Sequence, residues 1–144
     1  MASTSRSITR RVEGAVARWP GVTVRDHRFD GREFRLGARE VGHLHDDRRA
    51  DVAYPRPVRD AVVEAGLAGP HHLFPDSGWV TYPVDAPGAT DCLLDLLRLS
   101  YLVHAAALAR RGAHPELDAL DVPAELDALG LPAAVTAAAR ARLD

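Results

Sequence analysis

The chain has 144 residues, 47% hydrophobic and 26% charged with a net charge of −2, the balance of a globular domain long enough to bury a core. No uninterrupted apolar run approaches the ~18 residues of a membrane span, and the N-terminal stretch lacks the apolar segment of a secretory signal. The one cysteine, Cys92, leaves no internal disulfide, and together these features predict a cytoplasmic protein with no membrane partner.

Ile8, Val12, Ala15 and Val16 recur at helical spacing, which predicts a first helix over 5–18, capped by Ser5 or Ser7 and ended by Trp19-Pro20-Gly21. From Val22 to Phe29 apolar and polar residues alternate with the period of a half-buried strand. Asp30-Gly31 supplies a type I′ turn into a returning strand, Glu33–Gly37. A turn or bulge at Gly37 leads to a third strand, Glu40–His45. This meander should turn Val22, Val24, Phe34 and Leu36 toward the core. A charged loop, 46–49, precedes a short extended piece, Val52–Pro55. Pro57 opens a helix to Ala65, closed by Gly66, with Val58, Ala61, Val62 and Ala65 as its buried stripe.

Trp79–Val84 reads as a strand that lies at an edge or ends at Pro83. The longest helix, Asp91–Arg111, is capped by Thr90 or Asp91 and carries an apolar stripe of Leu93, Leu94, Leu96, Leu97, Tyr101 and His104. In the alanine-rich tail, the leucines from Leu117 to Leu131 and Val135 predict two or three short helices. The predicted fold is α+β: an antiparallel meander sheet of four to five strands packed with helices. Its domain spans 1–112, and 113–144 form a helical C-terminal extension.

All 18 basic residues are arginine, a sign of coding bias rather than of selection for bidentate binding. Residues 1–39 hold nine of them against four acids, net +5, while 40–144 are net −7. A basic face for nucleic acid is one reading of this asymmetry; solvated strand and helix faces are the plainer one.

Two histidine pairs carry the only candidate site. His43 and His45 are two apart, so on a strand they share a face, and Asp46, Asp47 or Asp51 can add a carboxylate. His71 and His72 stand at the head of a Pro75-Asp76-Ser77-Gly78 turn signal. The distances among these four side chains decide whether they form a site. Ser77 reads as a turn residue, because no strand-to-helix elbow and no Gly-x-Ser-x-Gly pattern surround it. Trp79 is either a core anchor or the wall of a ligand pocket, and Cys92 reads as a packed side chain on an apolar stripe.

Several runs carry a resemblance: Phe34–His45, Tyr54–Asp60, His71-His72, Pro75–Val80 and Leu96–Tyr101. Across about residues 12–103 the chain resembles the small bacterial "luciferase family" or luciferase-domain proteins, a domain of unknown function. The family's usual Gly after His-Leu-His is Asp46 here. Flavin-dependent luciferases are barrels of about 250 residues, which this short chain cannot form. More distantly, the order of elements is similar to that of MmcQ/YjbR-like proteins, whose fold is likened to some DNA-binding proteins.

These observations lead to a small-ligand or partner-binding module whose polar site is His43, His45, His71, His72 and Trp79. The alternatives are a metal-dependent enzyme using the same histidines, and weak DNA binding through the arginines of 6–39. The sequence assigns no catalytic residue, cofactor or oligomeric state.

Overall fold

The computed structural model describes residues 2–27, 31–45, 48–85 and 88–143. Its elements are α1 (Ala2–Val16), β1 (Val22–His27), β2 (Gly31–Leu36), β3 (Arg39–Leu44), β4 (Arg49–Ala53), α2 (Arg56–Glu64), β5 (Gly69–Pro70), β6 (Trp79–Pro83) and α3 (Ala89–Ala109). A 3₁₀ turn (Pro115–Leu117), α4 (Val122–Ala128) and α5 (Ala133–Arg140) follow. The expected α+β class is observed. The predicted Asp30-Gly31 turn falls partly outside the described residues, as do Asp46 and Asp47.

The strands form one antiparallel sheet in the order β1-β2-β3-β4-β6-β5. Among the described residues it has six strands rather than four or five. The extra one, β5, pairs only Gly69 with Thr81 and Pro70 with Val80, too short a run to show a period. The extended piece placed at Val52–Pro55 is the end of β4, an interior strand starting at Arg49. Its Arg-Ala-Asp-Val-Ala sequence is poor in strand-favouring residues, which hid it. β6 lies between β4 and β5, and Pro83 marks its end rather than an edge.

Helices cover one face. Phe34, Leu36, Leu44, Ala50, Val52 and Val80 of the sheet are buried with Val12 and Val16 of α1 and Leu93, Leu97 and Tyr101 of α3. Val22 and Val24 pack against this cluster partly buried. α1 begins at Ala2, so Ser5 and Ser7 lie inside it rather than cap it. Likewise α3 starts from Gly88 in a left-handed conformation (φ 77°), which puts Thr90 and Asp91 within its first turn. Ala65, expected in the α2 stripe, is exposed at that helix's C-cap, while Val58 and Val62 are buried. Cys92 is exposed, because the stripe through Leu93, Leu96, Leu97 and Ser100 turns position 92 outward.

Averaged along its length, α3 is long and apolar enough to cross a membrane, although its charged residues break the run; 56% of that stretch is buried as the core helix. Three side chains pin it in place. Ser100 Oγ lies 2.9 Å from the Val41 carbonyl and 2.6 Å from that of Ala53. The Tyr54 hydroxyl donates to the Leu96 carbonyl (2.6 Å), and that of Tyr101 to the Pro20 carbonyl (2.7 Å). Substituting Ser100→Ala removes the one hydroxyl proton that the Val41 and Ala53 carbonyls of β3 and β4 share and should cost about 1–3 kcal/mol. Urea unfolding checks this, and an unchanged midpoint would refute it.

The C-terminal helices pack against α3 and α2, and their Leu126, Val135 and Ala139 join the same buried cluster. Arg98 of α3 stacks on Trp19 (5.0 Å) and Tyr101 (4.8 Å) and bonds Glu125 of α4 at 2.8 Å.

Candidate functional site

The face of the sheet opposite α3 carries a polar row. Glu33 pairs with His43, His43 with Asp51, and Asp51 with Thr81, so four neighbouring strands each place one polar residue on one line. Their sequence neighbours Phe34, Leu44, Ala50, Val52 and Val80 point to the core, as the two-residue period requires. A bulge inserts Val41 between the Arg35–Glu40 and Phe34–Gly42 pairs, and this brings Glu40 round to the face of His43. Gly42 is required on the other side: a Cβ there would lie 2.8 Å from both Leu97 Cδ2 and the Asp51 carbonyl.

Asp51, its side chain 1% exposed, is the hub. Its Oδ2 accepts from His43 Nε2 (2.9 Å) and His45 Nε2 (2.8 Å), and His71 Nε2 stands 3.4 Å away. Its Oδ1 accepts from the Thr81 hydroxyl (2.7 Å), with His72 Nδ1 at 3.8 Å. His43 Nδ1 donates to Glu40 Oε2 at 2.6 Å. The His27 ring stacks on His43 (4.1 Å between centroids, 15° apart) and is itself held by Glu33 at 3.1 Å. Trp79 leans on His43 from the other side (5.2 Å).

His71 and His72 reach the hub from the segment after β5. Two backbone N–H groups, of Leu73 and Phe74, donate to His71 Nδ1, each at 3.1 Å. The backbone N–H of His72 lies 3.3 Å from Thr81 Oγ1. The loop closes through Ser77, whose hydroxyl donates to the Phe74 carbonyl (2.7 Å) and accepts from the Trp79 N–H (3.2 Å), as a turn serine does. Arg59 bonds the Pro75 carbonyl, and Tyr54 N–H donates to Gly78 (3.0 Å). Leu73 and Phe74 stand out from this loop, 67% and 63% exposed.

The five residues singled out in the sequence therefore lie together. Of the three carboxylates considered with them, Asp51 lies at the centre, and Asp46 and Asp47 fall outside the described residues. Trp79 is half-buried on the histidine face and is not an anchor of the helix-facing core. Sequence reasoning missed His27, Glu33, Glu40 and Thr81. His27 and Glu33 had a legible signal, since they alternate with Val22 and Val24 and with Phe34 and Leu36 and so belong to the polar face. Arg32 bonds Glu13 and Asp26, and Arg35 bonds Glu33, so part of the N-terminal positive charge is neutralised in place.

Burial alone would push the Asp51 carboxyl up, but hydrogen bonds from His43, His45 and Thr81 outweigh it and hold the group well below the usual carboxylate range. For His43, burial acts downward; the hydrogen bonds to Asp51 and Glu40, and their charges, raise it instead from 6.5 to about 9. His72 is lowered, first by burial and then by Arg49, His71 and His45, against the pull of Asp51. Without a metal, His43 is thus a cation between two carboxylates at neutral pH.

A raised histidine contributes stability that is complete below its unfolded value of 6.5 and is lost as pH climbs through about 9. The Asp51 contribution is present above the unfolded value of 3.8 and fades only as pH falls through the depressed one. Melted in chelator, the protein should exceed His43→Asn in Tm most between pH ~4 and ~6.5, with the gap shrinking toward pH 9. A gap that widens with pH would contradict this assignment.

Residues 38–100 match the Luciferase domain family, the resemblance read from the sequence motifs. The matched segment holds Glu40, His43, His45, Asp51, His71, His72, Trp79 and Thr81; α1, β1, β2 and the C-terminal helices lie outside it. No curated protein and no solved structure matches the chain, and the more distant likeness to MmcQ/YjbR-like proteins is not shown.

Proposed function

From a Luciferase domain that gathers imidazoles around one buried carboxylate, we propose a metal-centred small-ligand-binding protein. A divalent transition metal is held by His43 Nε2, His45 Nε2 and Asp51 Oδ2, with positions left open toward Trp79 and the 71–78 loop. The observation that carries this reading is the convergence of these three donor atoms within 4.8 Å of one another. Metal–ligand bonds near 2.1 Å at right angles put neighbouring donors about 3.0 Å apart. The nitrogen–oxygen separations of 2.9 and 2.8 Å fit that spacing on one face of an octahedron. Two imidazoles and one carboxylate favour zinc, iron, manganese, cobalt or nickel over calcium and magnesium, which prefer all-oxygen shells.

The outer partners support the same reading. Glu40 accepts from His43 Nδ1, which directs the Nε2 lone pair inward, and Thr81 orients Asp51 through its other oxygen. The ion takes the place of the His43 proton, so affinity should climb with pH up to about 9. Substituting Glu40→Gln removes the orienting carboxylate and should weaken metal binding roughly 10- to 100-fold. Competition against a chromophoric chelator measures this; an affinity equal to that of the unaltered protein would contradict the proposed ligand set.

A further inference from the structure

We infer that His71 is not a further metal ligand but a fixed hydrogen-bond donor to the ligand in the open position, which therefore binds through an anionic oxygen. This rests on the metal-centred reading above. A backbone N–H can only donate, so the two that point at His71 Nδ1 require a lone pair there. In the neutral ring the proton then sits on Nε2, the atom 3.4 Å from Asp51 Oδ2. A nitrogen that bears a proton has no lone pair to give a metal. His43 is the opposite case, because its Nδ1–H is committed to Glu40 and its Nε2 is left to ligate. The outer hydrogen bonds thus sort two histidines beside one carboxylate into a ligand and a donor.

The ring cannot readily exchange these roles. The His71 side chain is 9% exposed and stacks with His72 (4.4 Å) and Phe74 (5.5 Å), and a flip would place a carbon against both backbone donors. Trp79 lies edge-on to the ring at 6.3 Å. A ligand beside Nε2–H therefore meets a donor on one side and aromatic walls on others. That environment favours a small carboxylate or a similar oxygen anion over a neutral amine, which would offer the N–H no charged acceptor.

The test uses the cobalt-loaded chain, with acetate titrated into it and the visible cobalt bands followed. His71→Asn keeps an acceptor for the two backbone N–H groups and removes Nε2–H. It should bind cobalt within a few-fold of the unaltered protein while acetate affinity drops roughly 10- to 100-fold. Unchanged acetate binding, or a loss of cobalt affinity as large as that of acetate, overturns the donor role. Nitrogen-15 NMR of the metal-free protein reads the tautomer independently: Nε2–H is expected, and Nδ1–H refutes the inference while leaving the metal centre standing. If the unaltered chain takes up no cobalt, the metal-centred reading itself falls, and the donor role of His71 toward a metal-bound anion with it.

Discussion

Asp51→Asn should reduce affinity for zinc or cobalt by at least ~100-fold, the largest effect expected of any single substitution in the site. Asp51 is the only anion among the three proposed ligands, and its Oδ2 is the point on which the His43 and His45 contacts close at 2.9 and 2.8 Å. The amide is nearly the same size, so a loss cannot be ascribed to a hole. Either it turns its oxygen to the imidazoles and its NH₂ to Thr81, whose hydroxyl must then rotate to accept instead of donate, or it turns its NH₂ to the imidazole N–H groups, a donor facing donors. The second leaves a polar conflict, and both remove the negative charge from beside the imidazoles, at a position whose side chain is 1% exposed. The metal-free variant should therefore also lose about 3 kcal/mol in urea unfolding, the scale for removing one partner of a buried charged pair. A variant that keeps its metal affinity would remove Asp51 from the ligand set. One that loses metal but not stability would show that the imidazoles repack without their hub.

Gly78→Ala is expected to be the most damaging change outside the ligand set. A Cβ at this position would lie 2.2 Å from the Tyr54 carbonyl oxygen, far inside any real contact, and the obstacle is backbone that no rotamer can move. The chain must separate there, which breaks the 3.0 Å bond from Tyr54 N–H to the Gly78 carbonyl and shifts the start of β6. Trp79 would leave the His43 ring, and the loop carrying His71 and His72 would lose its anchor beside Ser77. A cost of about 3 kcal/mol or more follows, at the upper end for overpacked sites, together with weakened metal binding. Gly66→Ala is the useful comparison: its φ of +75° makes alanine strained, but nothing lies within 4 Å, so only about 1 kcal/mol is expected. Equal midpoints for the two variants would contradict the close approach at Gly78.

The periodicities carried much of this fold. Alternation from Val22 to Leu36 and the leucine stripe of α3 were enough to predict a meander covered by helices, and the spacing of His43 and His45 to place them on one face. What lay beyond reach was pairing between segments distant in the chain. Asp51 meets Thr81 because β4 pairs with β6, a contact that bridges 30 positions and leaves no local trace. Glu40 illustrates a different limit. Three residues before His43, it belongs on the opposite face of a regular strand, and only the bulge at Val41 brings it round. The residues that carry the family resemblance also divide differently from how they read in sequence. Ser100, Tyr101 and Tyr54 hold α3 to the sheet and chain, whereas the histidines, with no such packing duty, line the other face.

The metal content of the purified, untagged chain bears most directly on the proposed centre. Metal-free protein would be exposed to zinc, manganese, iron(II), cobalt and nickel, desalted exhaustively and analysed by elemental mass spectrometry beside Asp51→Asn. About one equivalent of a transition metal per chain is expected for the unaltered protein and essentially none for the variant. No stoichiometric metal in the unaltered chain, or equal uptake by both, would contradict a metal held by His43, His45 and Asp51.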